Sequence, residues 1–201
     1  MCDEEGMESG QLAEGKRIGI FGGSFDPVHD GHVHLAGLAK EAALLDEVWF
    51  LPCRVSPHKE GEPPASATAR VEWLKVVVRT IPWAKIETLE LELQPPSYSY
   101  RTLETLVQRY PGNQWFWIMG GDQWAALDRW REPDLIAELA SFIVLSRDGV
   151  EPQDRSGYRL ERVLGEHPAS STEIRAAIVR GDRGIEYLHP EVESLMLKDQ
   201  S

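Results

Sequence analysis

Cysteine is nearly absent from this chain: Cys2 and Cys53 are the only two in 201 residues. That excludes a disulfide framework and fits a reducing cytosol, so a cytoplasmic protein is expected. Long apolar runs are missing as well. No stretch approaches the ~20 residues that a membrane helix needs, and no membrane partner is expected. Residues 1–15 carry Asp3, Glu4, Glu5, Glu8 and Glu14 without an apolar segment. They read as a short disordered tail rather than a secretory leader. An excess of positive charge is lacking too. Lys and Arg total 21 against 33 for Asp and Glu, a net charge of −12, which argues against a nucleic-acid partner. Anionic small molecules stay open, because a phosphate site needs a few local donors rather than a basic surface. There is no internal repeat and no low-complexity linker, so residues 16–201 read as one domain.

What is present alternates between two periods. Short apolar runs at 16–21 (KRIGIF), 48–51 (VWFL), 114–119 (QWFWIM) and 141–145 (SFIVL) read as buried strands. Helical spacing of apolar residues marks 33–45, 68–80 and 100–110, and Glu132, Pro133 and Asp134 start a helix through Leu139, because proline suits a first turn. Residues 85–93 alternate Ile86, Leu89, Leu91 and Leu93 with polar residues, which predicts an extended segment. A helix over 170–180 has Ser170 and Glu173 as a capping box and Gly181 as its stop, and a last helix starts at Pro190. Strands alternating with helices predict a doubly wound parallel α/β sheet with helices on both faces.

The first chemical signal is Gly22-Gly23-Ser24-Phe25-Asp26-Pro27-Val28-His29-Asp30-Gly31-His32, between the first strand and the first helix. In a parallel sheet, ligands bind at such carboxyl ends of strands. Paired glycines let the backbone approach a ligand, and the helix start offers free N–H groups and a positive dipole end to phosphate. His29 and His32, three apart, can face one anion, and imidazole donates to phosphate oxygens. A bare double glycine would be a structural turn; two glycines, an Asp-Pro turn and His-x-Gly-His together are far more specific. No Gly-Lys-Ser/Thr tripeptide of a Walker loop occurs.

The second signal is Ser170-Ser171-Thr172-Glu173-Ile174-Arg175. A plain helix cap needs only Ser170 and Glu173. Adjacent hydroxyls and an arginine one turn in add a second candidate polyphosphate cradle.

The first segment resembles the signature of the adenylyl- and cytidylyltransferase superfamily. With the second, the chain resembles the bacterial nicotinate mononucleotide adenylyltransferases of that superfamily. Ser56-Pro57-His58-Lys59 is similar to that family's Pro-Pro-His-Lys loop. Ser97-Tyr98-Ser99-Tyr100-Arg101-Thr102-Leu103 is similar to its Ser-Tyr-Thr-x-x-Thr-Leu element, and Gly120-Gly121-Asp122 followed by Trp130 to its Gly-x-Asp and tryptophan pair. Ala169 stands where the family has isoleucine, Ser99 where it has threonine, Gly121 where it has alanine, and the family's Tyr-Ile ending is missing.

The resemblance implies a Rossmann-like nucleotidyltransferase fold. It implies transfer of AMP from ATP to nicotinate mononucleotide, giving deamido-NAD and pyrophosphate. His29, His32, Lys59, Ser171 and Arg175 would act on the phosphates. Gly22, Gly23, Ser24, Phe25, Gly120, Asp122, Ser170 and Thr172 would complete the ATP site. Lys59, Tyr98, Ser99, Trp130 and Arg131 would serve the mononucleotide, with Trp130 stacked on the pyridine ring. Mg²⁺ would arrive on the ATP phosphates, with no dedicated metal cage. Residues 52–67, a long Pro/Ala/Ser-rich loop, would close over substrate through Lys59. His34, His167, His189 and the other six tryptophans read as packing or surface. The rival readings are a nicotinamide mononucleotide or phosphopantetheine acceptor, or a nucleotide-binding module without turnover. A homo-oligomer is compatible with the sequence.

Overall fold

The computed structural model describes residues 15–54, 65–147 and 151–198. Apart from Gly15, the expected N-terminal tail lies outside the described residues, as do Ser56, Pro57, His58 and Lys59.

Six strands pair side by side: β1 (Arg17–Gly23), β2 (Glu47–Pro52), β3 (Ala84–Ile86), β4 (Gln114–Gly120), β5 (Ser141–Ser146) and β6 (Leu160–Leu164). They form one sheet in the order β3-β2-β1-β4-β5-β6, and all five pairings are parallel. Two-residue periodicity divides the side chains between two cores. Val48, Phe50, Phe116, Ile118, Ile143 and Leu145 enter one, with Trp73, Leu74, Ile174 and Val192 of the helices over that face. Ile18, Ile20, Trp49, Leu51, Trp117 and Val144 enter the other, with Leu103, Leu106 and Ile136. Both faces are covered, so the strands are apolar almost throughout, as buried parallel strands must be.

The helices are α1 (Asp30–Ala42), α2 (Ala67–Val78), α3 (Leu89–Glu92), α4 (Ser99–Arg109), α5 (Gly121–Ala125), α6 (Pro133–Leu139), α7 (Ser171–Arg180) and α8 (Pro190–Lys198). α7 begins as its sequence predicts: the Ser170 hydroxyl accepts from the Glu173 N–H, and Gly181 ends it at φ +83°.

Residues 85–93 depart from expectation. The strand stops at Ile86, and α3 follows instead of a continued extended run. The Glu87 carboxylate accepts from the Leu89 N–H at 3.0 Å, which turns the chain and buries Leu89 completely. β6 had no legible signal, because this edge strand buries only Val163 and its pattern is mostly polar. The five-residue α5 is likewise too short for any periodicity to show.

Candidate functional site

The strand order reverses between β1 and β4. Outside the carboxyl ends of such a pair a crevice opens, because the connections that follow leave in opposite directions. β1 ends in Gly22-Gly23 and β4 in Gly120. A cleft of about 1650 Å³ lies there, lined by both glycine segments and by the start of α7. Single-ligand pockets run about 300–1000 Å³, so this one has room for two substrates.

The loop after β1 is held in an unusual shape. Phe25 has φ +50°, and its buried ring meets His32 edge-on with centroids 5.1 Å apart. A Cβ on Gly23 would stand 2.9 Å from that ring, so only glycine lets the loop fold back on the strand end. His29 is the N-cap residue of α1 and packs against His32 with its ring tilted by 30°, centroids 3.8 Å apart. The His29 N–H donates to His32 Nδ1 at 3.2 Å, which leaves Nε2 of a neutral His32 to carry the proton. His29 is itself buried, and its Nδ1 has no partner among the described residues. Burial first, and the neighbouring His167 second, hold its pKa down at about 4. At neutral pH it is therefore an uncharged imidazole. A Cβ on Gly31 would lie 3.1 Å from the Nδ1 atoms of both His29 and His167, so glycine here lets two imidazoles close over the helix start.

The second motif is tied to the first. The Ser171 hydroxyl donates to the Pro27 carbonyl at 3.0 Å. Arg175 donates to the Asp26 carbonyl at 2.5 Å, with the Asp26 carboxylate 3.7 Å away. A hydroxyl has one proton, so the Ser171 side chain braces the loop, and its backbone N–H in the first turn of α7 is what remains for an anion. Arg175 keeps further N–H donors for a ligand.

The opposite part of the cleft carries Ser97, Ser99, Asp122, Trp117 and Trp130. Trp130 stands edge-on to Trp117, with centroids 6.4 Å apart. Glu90 also reaches this wall. It is buried, which pushes its carboxyl pKa up against the opposing effect of hydrogen bonds from Thr102 and Ser97. Among the described residues no group of three or more His, Cys, Asp or Glu could hold a metal ion.

Three expected site residues do not line the cleft. Tyr98 stacks on Tyr100 at 6.1 Å, with the Arg101 guanidinium 5.3 Å from its ring, and serves as the N-cap residue of α4. Thr172 and Arg131 are exposed beyond its edges. Lys59 lies outside the described residues. Conversely, His167, Trp117 and Trp124 were read as packing or surface and line the cleft, as do Arg147 and Arg155. Arg147 follows the carboxyl end of β5, and that position was a signal available in the sequence. His167 was not discoverable by spacing: only the tertiary fold sets it beside Gly31.

Comparison with known proteins agrees with this geometry. The family model described as cytidylyltransferase-like matches residues 20–177. The nicotinate-nucleotide adenylyltransferase of Bacillus subtilis (strain 168) is 38% identical over 176 residues, which cover 88% of this chain and 92% of that one. A probable nicotinate-nucleotide adenylyltransferase of Halalkalibacterium halodurans is 40% identical over 179 residues, covering 87% and 85%. Among solved structures, a Plasmodium falciparum nicotinic acid mononucleotide adenylyltransferase complexed with NaAD superposes with a TM-score of 0.70 at 22% identity, covering 92% of this chain and 96% of that one. Matched in sequence over most of its length, and in fold to the same group, this chain belongs to the nicotinate-nucleotide adenylyltransferase family.

Proposed function

We propose that this chain transfers the adenylyl group of ATP to nicotinate mononucleotide, yielding deamido-NAD and pyrophosphate in NAD biosynthesis. The observation that carries the reading is the convergence of the 22–32 and 170–175 motifs on one cleft large enough for two nucleotides. The names of the relatives give the same activity.

In this reaction an oxygen of the mononucleotide phosphate attacks the α-phosphorus of ATP. The bond from that phosphorus to the β-bridging oxygen breaks, and pyrophosphate leaves. The nucleophile is already an anion, so catalysis needs positioning and charge stabilisation rather than a protein nucleophile. The Nε2–H of His32 serves the α-phosphate, and neutral His29 donates beside it without needing a counter-ion. The Ser171 N–H and the Arg175 guanidinium take the β- and γ-phosphates. Lys59 keeps the charge-neutralising role that its motif assigns. Asp122 accepts from a ribose hydroxyl, while Trp130 and Ser99 receive the pyridine end. Mg²⁺ enters as part of the MgATP substrate, held by phosphate oxygens. Residues 16–201 act as one domain, in the cytoplasm and without a nucleic-acid partner.

The test is pyrophosphate release from MgATP with each candidate acceptor. Nicotinate mononucleotide should exceed its amide in kcat/KM by roughly tenfold to a hundredfold. An amide NH₂ set against backbone donors leaves a donor unpaired, at a cost of ~1–3 kcal/mol. Equal values would overturn carboxylate recognition, and no turnover with any acceptor would favour a binding module.

A further inference from the structure

Arg70 lies in the first turn of α2, is 1% exposed, and is the largest fully buried side chain among the described residues. Its guanidinium donates to three backbone carbonyls: Ala65 at 3.0 Å, Ser24 at 2.7 Å and Cys53 at 2.9 Å. Among the described residues no carboxylate comes within 4.0 Å of it. A buried cation near the positive end of a helix that meets, among the described residues, only backbone carbonyls is unfavourable, and an apolar side chain there would fold more easily. The stability of α2 therefore does not explain this residue, but its three acceptors do. They belong to the root of α2, the loop after β1 and the end of β2, and the last two line the cleft while Arg70 sits behind it.

A trans peptide is planar, with its C=O and N–H pointing in opposite directions. The Cys53–Arg54 peptide illustrates the consequence: Arg70 holds its carbonyl, and on the other side the Arg54 N–H donates to the Ser97 hydroxyl at 3.2 Å. The same rule applies to the Ser24–Phe25 peptide. With the Ser24 carbonyl held by Arg70, the Phe25 N–H is turned away from Arg70 and toward the cleft. Among the described residues that N–H has no hydrogen-bond partner. Phe25 also has a left-handed backbone, φ +50°, a conformation that a bulky residue keeps only where the surroundings enforce it.

We propose that Arg70 is a positioning residue for adenylyl transfer, turning the Ser24–Phe25 peptide so that the Phe25 N–H is a ready donor to the nucleotide phosphates. The proposal rests on the adenylyl-transfer reading above. It predicts a loss confined to phosphate recognition, whereas a merely structural role would spare or damage all ligands alike.

Arg70→Met is the first variant, with folding checked by circular dichroism. Calorimetric titration with magnesium pyrophosphate should show affinity reduced by about tenfold or more, and kcat should fall by about a hundredfold, the scale of losing one preorganised donor. Adenosine binding, followed by ligand-observed NMR, should stay within about twofold. Unchanged pyrophosphate affinity and kcat, or an equal loss of adenosine binding, would overturn the proposal. If the Met variant does not fold, Arg70→Lys decides. Its ammonium keeps the charge but not the planar three-way fork, so pyrophosphate affinity should still fall by at least about threefold. A lysine variant that binds pyrophosphate like the parent would overturn the positioning role. If the parent chain itself releases no pyrophosphate from MgATP and nicotinate mononucleotide, the adenylyl-transfer reading fails, and the pyrophosphate titration still judges Arg70.

Discussion

At the amino-terminal edge of the sheet, Glu47 is buried and fully partnered: Lys16 at 2.5 Å, the Trp49 indole N–H at 2.8 Å and Lys85 at 2.9 Å. Burial alone would raise its pKa, yet the ion pairs and hydrogen bonds hold it near 2. At the carboxyl-terminal edge the polar groups are partnered differently. Among the described residues His29 Nδ1 has no partner and Arg70 has three backbone carbonyls but no carboxylate within 4.0 Å, while the partly exposed Arg175 rests on the Asp26 carbonyl with the Asp26 carboxylate 3.7 Å away. One sheet thus meets a buried charge with counter-ions at one end and, among the described residues, with backbone carbonyls at the other. An unsatisfied buried group costs stability, so the open His29 nitrogen stands out at the end of the sheet where the cleft lies.

The largest effect is expected at His32. His32→Ala should lower kcat by about 10²–10³, the range for a preorganised electrostatic donor, and cost about 1 kcal/mol of stability by freeing the His29 N–H at the N-cap of α1. Normal turnover at saturating ATP would remove His32 from the reaction.

A pH titration of stability separates the two ends. His29 titrates near 4 in the folded chain against 6.5 in the reference state. Its depressed pKa means that the unfolded chain binds the proton first as pH falls. Its contribution is complete above about pH 6.5 and is lost progressively toward pH 4. Urea unfolding should show about 2 kcal/mol less stability at pH 5 than at pH 7 from this group, and His29→Gln should flatten the slope. Saturating pyrophosphate should flatten it as well, by stabilising the protonated ring. Identical slopes in parent and variant would show that the His29 site does not exclude the proton.

Glu47 gives the smallest effect, at the other end and in the other window. Its folded pKa is lowered, so its contribution is complete above about pH 4.5 and disappears as pH falls toward 2. Both lysines are more than half exposed, so solvent screening discounts the pairs. Glu47→Gln should cost about 1–2 kcal/mol at pH 7 by chemical denaturation and leave kcat/KM untouched. A fall in kcat/KM would deny the division of labour between the two edges.

The sequence by itself determined the strands whose apolar runs are long, the caps of α7, and the two motifs at 22–32 and 170–175, because each is a local pattern of period or spacing. It could not determine β6 or α3, whose boundaries come from a lone buried Val163 and from the Glu87 carboxylate turning the chain. Nor could it set apart Ser99, which lines the cleft, from Tyr98 beside it, which does not. Only the tertiary structure decided that Ser171 braces the Pro27 carbonyl, that His167 joins His29 over Gly31, and that Arg70 reaches Ser24 across 46 positions of sequence. Those are contacts between elements far apart in the chain, made where β1 and β4 diverge, and no local rule of period or propensity carries information about them.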